Sequence, residues 1–243
     1  MTMYRRRFLG LLAALSMSVA AIAHAQDVIR VATDATFPPF EYSENGKRTG
    51  FDVDLIEAIA ATIGKKVEWT DIDFKGLIPG LVAKRFDVAA SAIYITDERR
   101  KVVDFTDPYY PGGLVIMVKK GNTAIHGPED LNGRKVSVQV GTKSVNFLKE
   151  KFPGAQRVEV EKNQEMFQLV EIGRADAAVT GKPAAKLYAR ARGTLQVLDK
   201  QLTVEEYGYA IRKDEPELTR QFNDALKKLK ADGTYQKLVD KYL

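Results

Sequence analysis

Cysteine is absent from all 243 residues, histidine occurs twice and tryptophan once. Without cysteine there is no disulfide framework and no thiolate nucleophile, so burial of an apolar core must hold the fold together. His24 lies near the amino terminus and His126 in a loop (TAIHGPED), which leaves no metal constellation and no Ser-His pairing. A phosphate-binding glycine fingerprint is missing as well, and no cofactor is expected. The apolar run from Phe8 to about Ile22 falls short of the roughly 20 strongly apolar residues that span a membrane.

That run has another reading. Arg5, Arg6 and Arg7 precede it and Ala23-His24-Ala25 follows, the pattern of an export signal cut after Ala25. Arg5-Arg6-Arg7-Phe8-Leu9 also fits the twin-arginine route, and the general secretory route stays open beside it. No cysteine flanks the cleavage point, so a lipid anchor through a processed cysteine is excluded.

Removing residues 1–25 takes away three arginines and no acid, so the formal charge falls from +5 to +2. Near neutrality, and with no dense basic run carrying interleaved aromatics, the mature chain is not expected to bind nucleic acid. Its length suits one large or two small domains.

Along the mature chain, strand and helix patterns alternate. Residues 28–32 form a β-branched run, and 51–63 carry apolar residues at helical spacing up to Gly64. Residues 66–73 alternate as a strand, 76–83 suit a helix, and 86–95 are apolar and extended. A second series starts near Lys135: strand KVSVQV, helix 144–151, strand RVEVEK, helix 164–172, strand ADAAVT and helix 182–192. Between the series, Tyr109-Tyr110-Pro111-Gly112-Gly113 is punctuation before a strand at 114–118. From Glu215 the chain reads as a helix with Leu218, Phe222, Ala225, Leu226 and Leu229 on one face and Gly233 at its stop. The pattern predicts an α/β protein with mostly parallel sheets flanked by helices.

Eight stretches, in order across the mature chain, carry a resemblance: ATDATFPPFEY, GFDVDLIEAIA, DFKGLIPGL, ITDERRKVVDFTDPYY, EDLNGRKVSVQVGTKSV, GRADAAV, EYGYAI and DGTYQKL. Together they resemble the periplasmic solute-binding proteins of polar amino acid ABC importers, with glutamine-binding members nearest in pattern. The resemblance implies a two-lobed periplasmic-binding-protein fold of type II. Lobe 1 would hold residues 26–110 and 208–243, lobe 2 residues 111–207. The hinges would be Tyr109 to Gly113 and about Glu206 to Tyr209, where Gly112, Gly113 and Gly208 tolerate a changing backbone. A polar amino acid or related small carboxylate would be captured between the lobes of a periplasmic monomer and passed to an inner-membrane ABC permease.

The resemblance also assigns residues. Arg99 would grip the ligand carboxylate, for which a planar fork offers two parallel charge-assisted hydrogen bonds. Local sequence alone equally allows an ion pair with Asp97, Glu98 or Asp104. Phe37 and Phe74 would pack on the ligand's aliphatic part, with core filling as the alternative. Asp34 would accept from the ligand side chain or cap the loop before Phe37. Ser91 and Ala92 would form the floor, Ala92 through its carbonyl. From lobe 2, Gln139, Gly141, Thr142, Lys143 and Thr180 would complete the site, with free N–H groups of the 141–144 turn facing an anion.

Two positions depart from the family pattern. Gly181 follows Thr180 where an aspartate is expected to hold the ligand ammonium, and Tyr94 replaces a small hydroxyl residue. Lys143 and Lys182 are expected to add positive charge near the site. The ligand is therefore either a carboxylate whose amino group is absent, substituted or held differently, or an ordinary amino acid served by the Tyr94 hydroxyl, carbonyls or water. Two other classes stay open: a dehydratase-like enzyme on the same fold, which would need a general acid where Asp34 is the obvious cleft carboxylate, and a chemosensory ligand-binding protein. Catalysis is not expected.

Overall fold

The computed structural model describes residues 28–243, so the expected export signal and its cleavage point lie outside the described residues. The β-branched strand Val28–Thr33 is the second strand of a five-stranded sheet, parallel to Lys66–Asp71 on one side and Val88–Ala89 on the other. Ala210–Arg212 and Val103–Phe105 extend this sheet antiparallel. A second five-stranded sheet runs in the order Gln156–Val160, Lys135–Gln139, Ala177–Gly181, Leu114–Lys119, Leu195–Val197, its first three strands parallel and its last two antiparallel. Both sheets are therefore mixed, where the alternating pattern predicts mostly parallel ones.

Parallel neighbours need a crossover, and helices supply it. Phe51–Thr62 links Val28–Thr33 to Lys66–Asp71 and buries Phe51, Val53, Leu55, Ile56, Ile59 and Ala60. Lys143–Lys151 and Asn163–Glu171 do the same in the second sheet.

Two segments differ from the pattern. Of residues 86–95, only Val88–Ala89 stays in the sheet. Ala92 then takes a left-handed backbone with φ 43, and Tyr94 bridges Tyr207, so an apolar run that reads as one strand lifts off to form a loop. Gly233 is a junction and not the end: helix Pro216–Ala231 is followed by Thr234–Tyr242, whose Tyr235 ring packs edge-on against Phe51 with centroids 5.8 Å apart.

Two crossing segments join the sheets. Tyr110–Pro111 pairs antiparallel with Glu206–Tyr207. Around them Tyr109 stacks on Tyr209 (centroids 4.4 Å apart), and Tyr207 packs against Tyr94 (4.6 Å) and Phe40 (5.1 Å). Gly113 has a positive φ of 114. Gly112 and Gly208 do not. A Cβ would lie 2.5 Å from the Tyr94 ring at Gly112 and 2.8 Å from Ile95 at Gly208, so these two serve close packing and not backbone freedom.

Candidate ligand-binding site

The parallel strands of both sheets end toward a common cavity. Asp34 follows Val28–Thr33, Ser91 and Ala92 follow Val88–Ala89, Gln139 ends Lys135–Gln139, and Thr180 and Gly181 end Ala177–Gly181. Carboxyl ends of parallel strands are where chains leave the sheet and helices begin, so polar groups gather there. All the sequence-predicted contacts line this cavity except Arg99 and Gly141, which face an adjoining outer groove.

Asp34 is 2 % exposed and accepts four hydrogen bonds. Its Oδ1 takes Thr36 Oγ1 (3.1 Å) and Lys162 Nζ (3.1 Å), and its Oδ2 takes Phe74 N (3.2 Å) and Gln139 Nε2 (2.8 Å). Burial pushes its pKa up, and Lys162 pulls it back down. Gln139 and Lys162 belong to the second sheet's half, so Asp34 ties the halves together. Thr36, which bonds to Oδ1, is part of the loop before Phe37 that the capping reading named.

Beneath the floor, Glu41 and Asp52 form a buried pair. Glu41 Oε1 accepts from Ser91 Oγ (2.9 Å), and Asp52 Oδ2 accepts from Ala92 N and from Tyr109 Oη (both 2.8 Å). Glu41 Oε2 and Asp52 Oδ1 are buried without a hydrogen-bond partner among the described residues. Burial pushes both acids up, Asp52 to about 7 and Glu41 well above the usual carboxylate range, and the charge of Asp52 adds to the rise of Glu41.

Arg99 sits in the short helix Asp97–Arg100, capped by Thr96, whose Oγ1 accepts from Arg99 N (3.2 Å). Its Nη1 donates to the Tyr94 carbonyl (2.8 Å) and its Nη2 to the Gly141 carbonyl across the cleft (3.3 Å). The guanidinium lies over the Phe74 ring, 5.6 Å from its centroid. Burial lowers its pKa to about 10, which leaves it charged at neutral pH. Among the described residues it forms no ion pair, so the local alternatives Asp97, Glu98 and Asp104 are not its partners.

The amino end of helix Lys143–Lys151 forms part of the wall, with Thr142 Oγ1 turned back to the Gln139 carbonyl (2.7 Å). Gly141 has φ 77, and a Cβ there would meet the Lys75 backbone at 2.8 Å, which explains the glycine. The expected positive charge is not delivered as the sequence suggests. Lys143 is paired with Glu205 at 2.9 Å, and Lys182 points to Gln201 Oε1 (2.9 Å) outside the cavity. A further cation, Lys162, pairs with the lining residue Asp34 and with Asp73 (2.7 Å).

Phe37 and Phe74 flank the cavity, both half-buried, and Phe37 also stacks on the core residue Phe40 at 6.1 Å. Opposite them, the Tyr94 hydroxyl accepts from Gly113 N (3.1 Å) and from the Tyr207 hydroxyl (3.2 Å). A Cβ on Gly181 would stand 2.4 Å from the Tyr207 hydroxyl and 3.3 Å from that of Tyr94. Two phenols therefore occupy the place that a side chain at 181 would enter.

Sequence reasoning missed Glu41, Lys162, Asn163 and Tyr207. Lys162 and Asn163 follow strand Gln156–Val160 at its carboxyl end, a position that could have flagged them. Glu41 and Tyr207 give no local signal.

Comparison with known proteins agrees with this geometry. Residues 29–243 match the model of the bacterial extracellular solute-binding proteins, family 3. An L-cystine-binding protein of Escherichia coli K12 is 33 % identical over 215 residues, covering 87 % of this chain and 81 % of that one. The solved structure of an ancestral arginine-binding protein bound to arginine is 42 % identical, with TM-score 0.85, covering 90 % of this chain and 100 % of that one. An ancestral amino acid-binding protein described as a precursor of cyclohexadienyl dehydratase is 46 % identical, with TM-score 0.83, covering 88 % and 95 %. With two α/β lobes, a cavity at their facing strand ends and a family match over nearly all the described residues, the chain belongs to the bacterial extracellular solute-binding proteins, family 3.

Proposed function

We propose that this protein captures a polar amino acid or related small carboxylate in the cavity between its lobes and presents the closed form to an inner-membrane ABC permease. The observation that carries this is the state of Arg99: a half-buried guanidinium that donates only to two backbone carbonyls and has no carboxylate partner among the described residues. Carbonyl dipoles leave a buried positive charge short of neutralisation, and a ligand carboxylate supplies what is missing. Arg99 to Gly141, Asp34 to Gln139 and Lys162 to Asp34 already join the two halves, so a ligand bound there adds to contacts that favour closure.

Micromolar capture needs about 8 kcal/mol. Charge-assisted hydrogen bonds at about 1.5–3 kcal/mol each, with ring burial on Phe37 and Phe74, account for much of this. In this reading the protein acts as a periplasmic monomer after cleavage behind Ala25. Lobe 1 holds residues 26–110 and 208–243, and lobe 2 holds residues 111–207.

The test is calorimetric titration of the mature protein and of Arg99→Ala with L-amino acids and their 2-oxo counterparts. Loss of all binding in the variant, with the melting temperature retained, is expected; unchanged affinity would falsify the assignment.

Catalysis on the same cavity is a second reading, favoured by Glu41 in its wall, whose carboxyl burial pushes well above the usual range, and by the solved relative described as a dehydratase precursor. A neutral carboxyl can donate a proton to a leaving hydroxyl. Incubation with bound carboxylates and chromatography of the products distinguishes the two: recovered ligand means capture only.

A further inference from the structure

The hydrogen-bonding capacity of the cavity wall at Gly181 carries a statement about ligand class, one that rests on the capture reading above. The Tyr94 hydroxyl accepts two hydrogen bonds, from Gly113 N and from Tyr207 Oη, which uses both of its lone pairs. Its own proton has no acceptor among the described residues. Burial keeps both phenols neutral at physiological pH, so neither supplies a negative charge. Tyr94, Tyr207 and Gly181 all line the cavity.

A ligand ammonium would need an anion instead, and the carboxylates nearby are engaged. Asp34 is saturated by four donors, one of them Lys162. Glu41 takes Ser91 on one oxygen, and burial beside Asp52 pushes its carboxyl well above the usual carboxylate range, which disfavours its charged form. Glu205 is paired with Lys143. Nor is there room for an acid at 181, since a Cβ alone would come within 2.4 Å of Tyr207 Oη. Burying an ammonium beside neutral hydroxyls leaves much of its lost hydration uncompensated, whereas an oxo or carbonyl oxygen there receives the free phenol proton.

We propose that this cleft selects carboxylates that lack a free ammonium and carry an oxo or carbonyl acceptor, 2-oxo acids being the simplest members, and that Tyr94 is the residue that decides between the two classes.

The experiment pairs pyruvate, 2-oxobutyrate, 4-methyl-2-oxopentanoate and 2-oxoglutarate with L-alanine, L-2-aminobutyrate, L-leucine and L-glutamate. Each is titrated against the mature protein by calorimetry and by thermal shift. At least one 2-oxo acid is expected to bind tenfold or more tightly than its amino counterpart, and Tyr94→Phe is expected to reduce that ratio at least tenfold. Should Tyr94→Phe not fold, Tyr207→Phe replaces it: this variant returns a lone pair to Tyr94 and should lower the same ratio. Amino acids binding as well as or better than their 2-oxo partners overturn the inference and leave capture standing. Binding of neither class at 10 mM overturns the inference and counts against capture as well. A ratio unchanged in both tyrosine variants overturns the role of Tyr94.

Discussion

The ammonium nitrogen of Lys162 lies 3.1 Å from Oδ1 of Asp34, joining a half-exposed lysine of one lobe to a buried carboxylate of the other. The same nitrogen reaches Asp73 at 2.7 Å, so one cation bridges two acids across the cleft mouth. Closure is in this way written into side-chain chemistry before a ligand arrives.

Lys162→Met should loosen that bridge. The lysine side chain is 42 % exposed, so the cost to global stability is small, about 1 kcal/mol or less. The lobes, however, lose one of the contacts that join them. Small-angle scattering of the ligand-free variant should give a larger radius of gyration than wild type; identical curves would show that the bridge does not bias closure.

Arg99→Lys tests geometry apart from charge. Lysine keeps the positive charge but offers no planar fork, and it cannot donate at once to the Tyr94 and Gly141 carbonyls and to a carboxylate. Affinity for any carboxylate that binds wild type should fall at least tenfold, with the melting point nearly unchanged. Retained affinity would mean that charge alone suffices at this position.

The Glu41–Asp52 pair predicts a pH profile. Burial raises both acids, Asp52 to about 7, above the value of about 4 expected in an unfolded chain. The folded state therefore holds a proton that the unfolded state has released. This contribution to stability is complete below about pH 4 and is lost as pH rises through about 7. Asp34 adds repulsion to Glu41, while Ser91, Ala92 N and Tyr109 offset part of the rise. Glu41→Gln removes one of the two raised acids and its repulsion on the other, so the fall in melting temperature between pH 5 and pH 8 should shrink. Equal slopes in both proteins would show that Glu41 does not contribute to the profile.

Gly181→Ala should push into the cavity wall, because its Cβ meets the Tyr207 hydroxyl at 2.4 Å. Ligand affinity should drop at least tenfold, while the melting point of the ligand-free protein changes little. Tyr207→Phe in the same chain removes the obstructing oxygen and should restore part of the loss. A double-mutant cycle measures this directly, and strict additivity would place the clash elsewhere.

Much of the fold was legible because it is written at short range. Residues 51–63 read as a helix from the spacing of Val53, Leu55, Ile56 and Ile59, and Phe51–Thr62 is one. Residues 86–95 misread because an apolar, β-branched run looks the same whether it pairs in a sheet or folds under a cavity. Only Val88–Ala89 find strand partners, and the turn at Ala92 depends on Asp52, forty residues away in sequence, holding its N–H.

The sequence by itself determined the alternation of strands and helices, the apolar faces that bury them and the set of polar residues at the strand ends, since each follows from local periodicity and backbone chemistry. Tertiary structure alone decided which charges stay available. Lys162 reaches Asp34 across 128 positions, Lys143 turns to Glu205, and Gly181 meets Tyr94 of the opposite lobe and Tyr207 of a crossing segment. A charge is neutralised or left free by whatever lies within a few ångströms of it, and that proximity is set by sheet register and lobe closure, which no local pattern encodes.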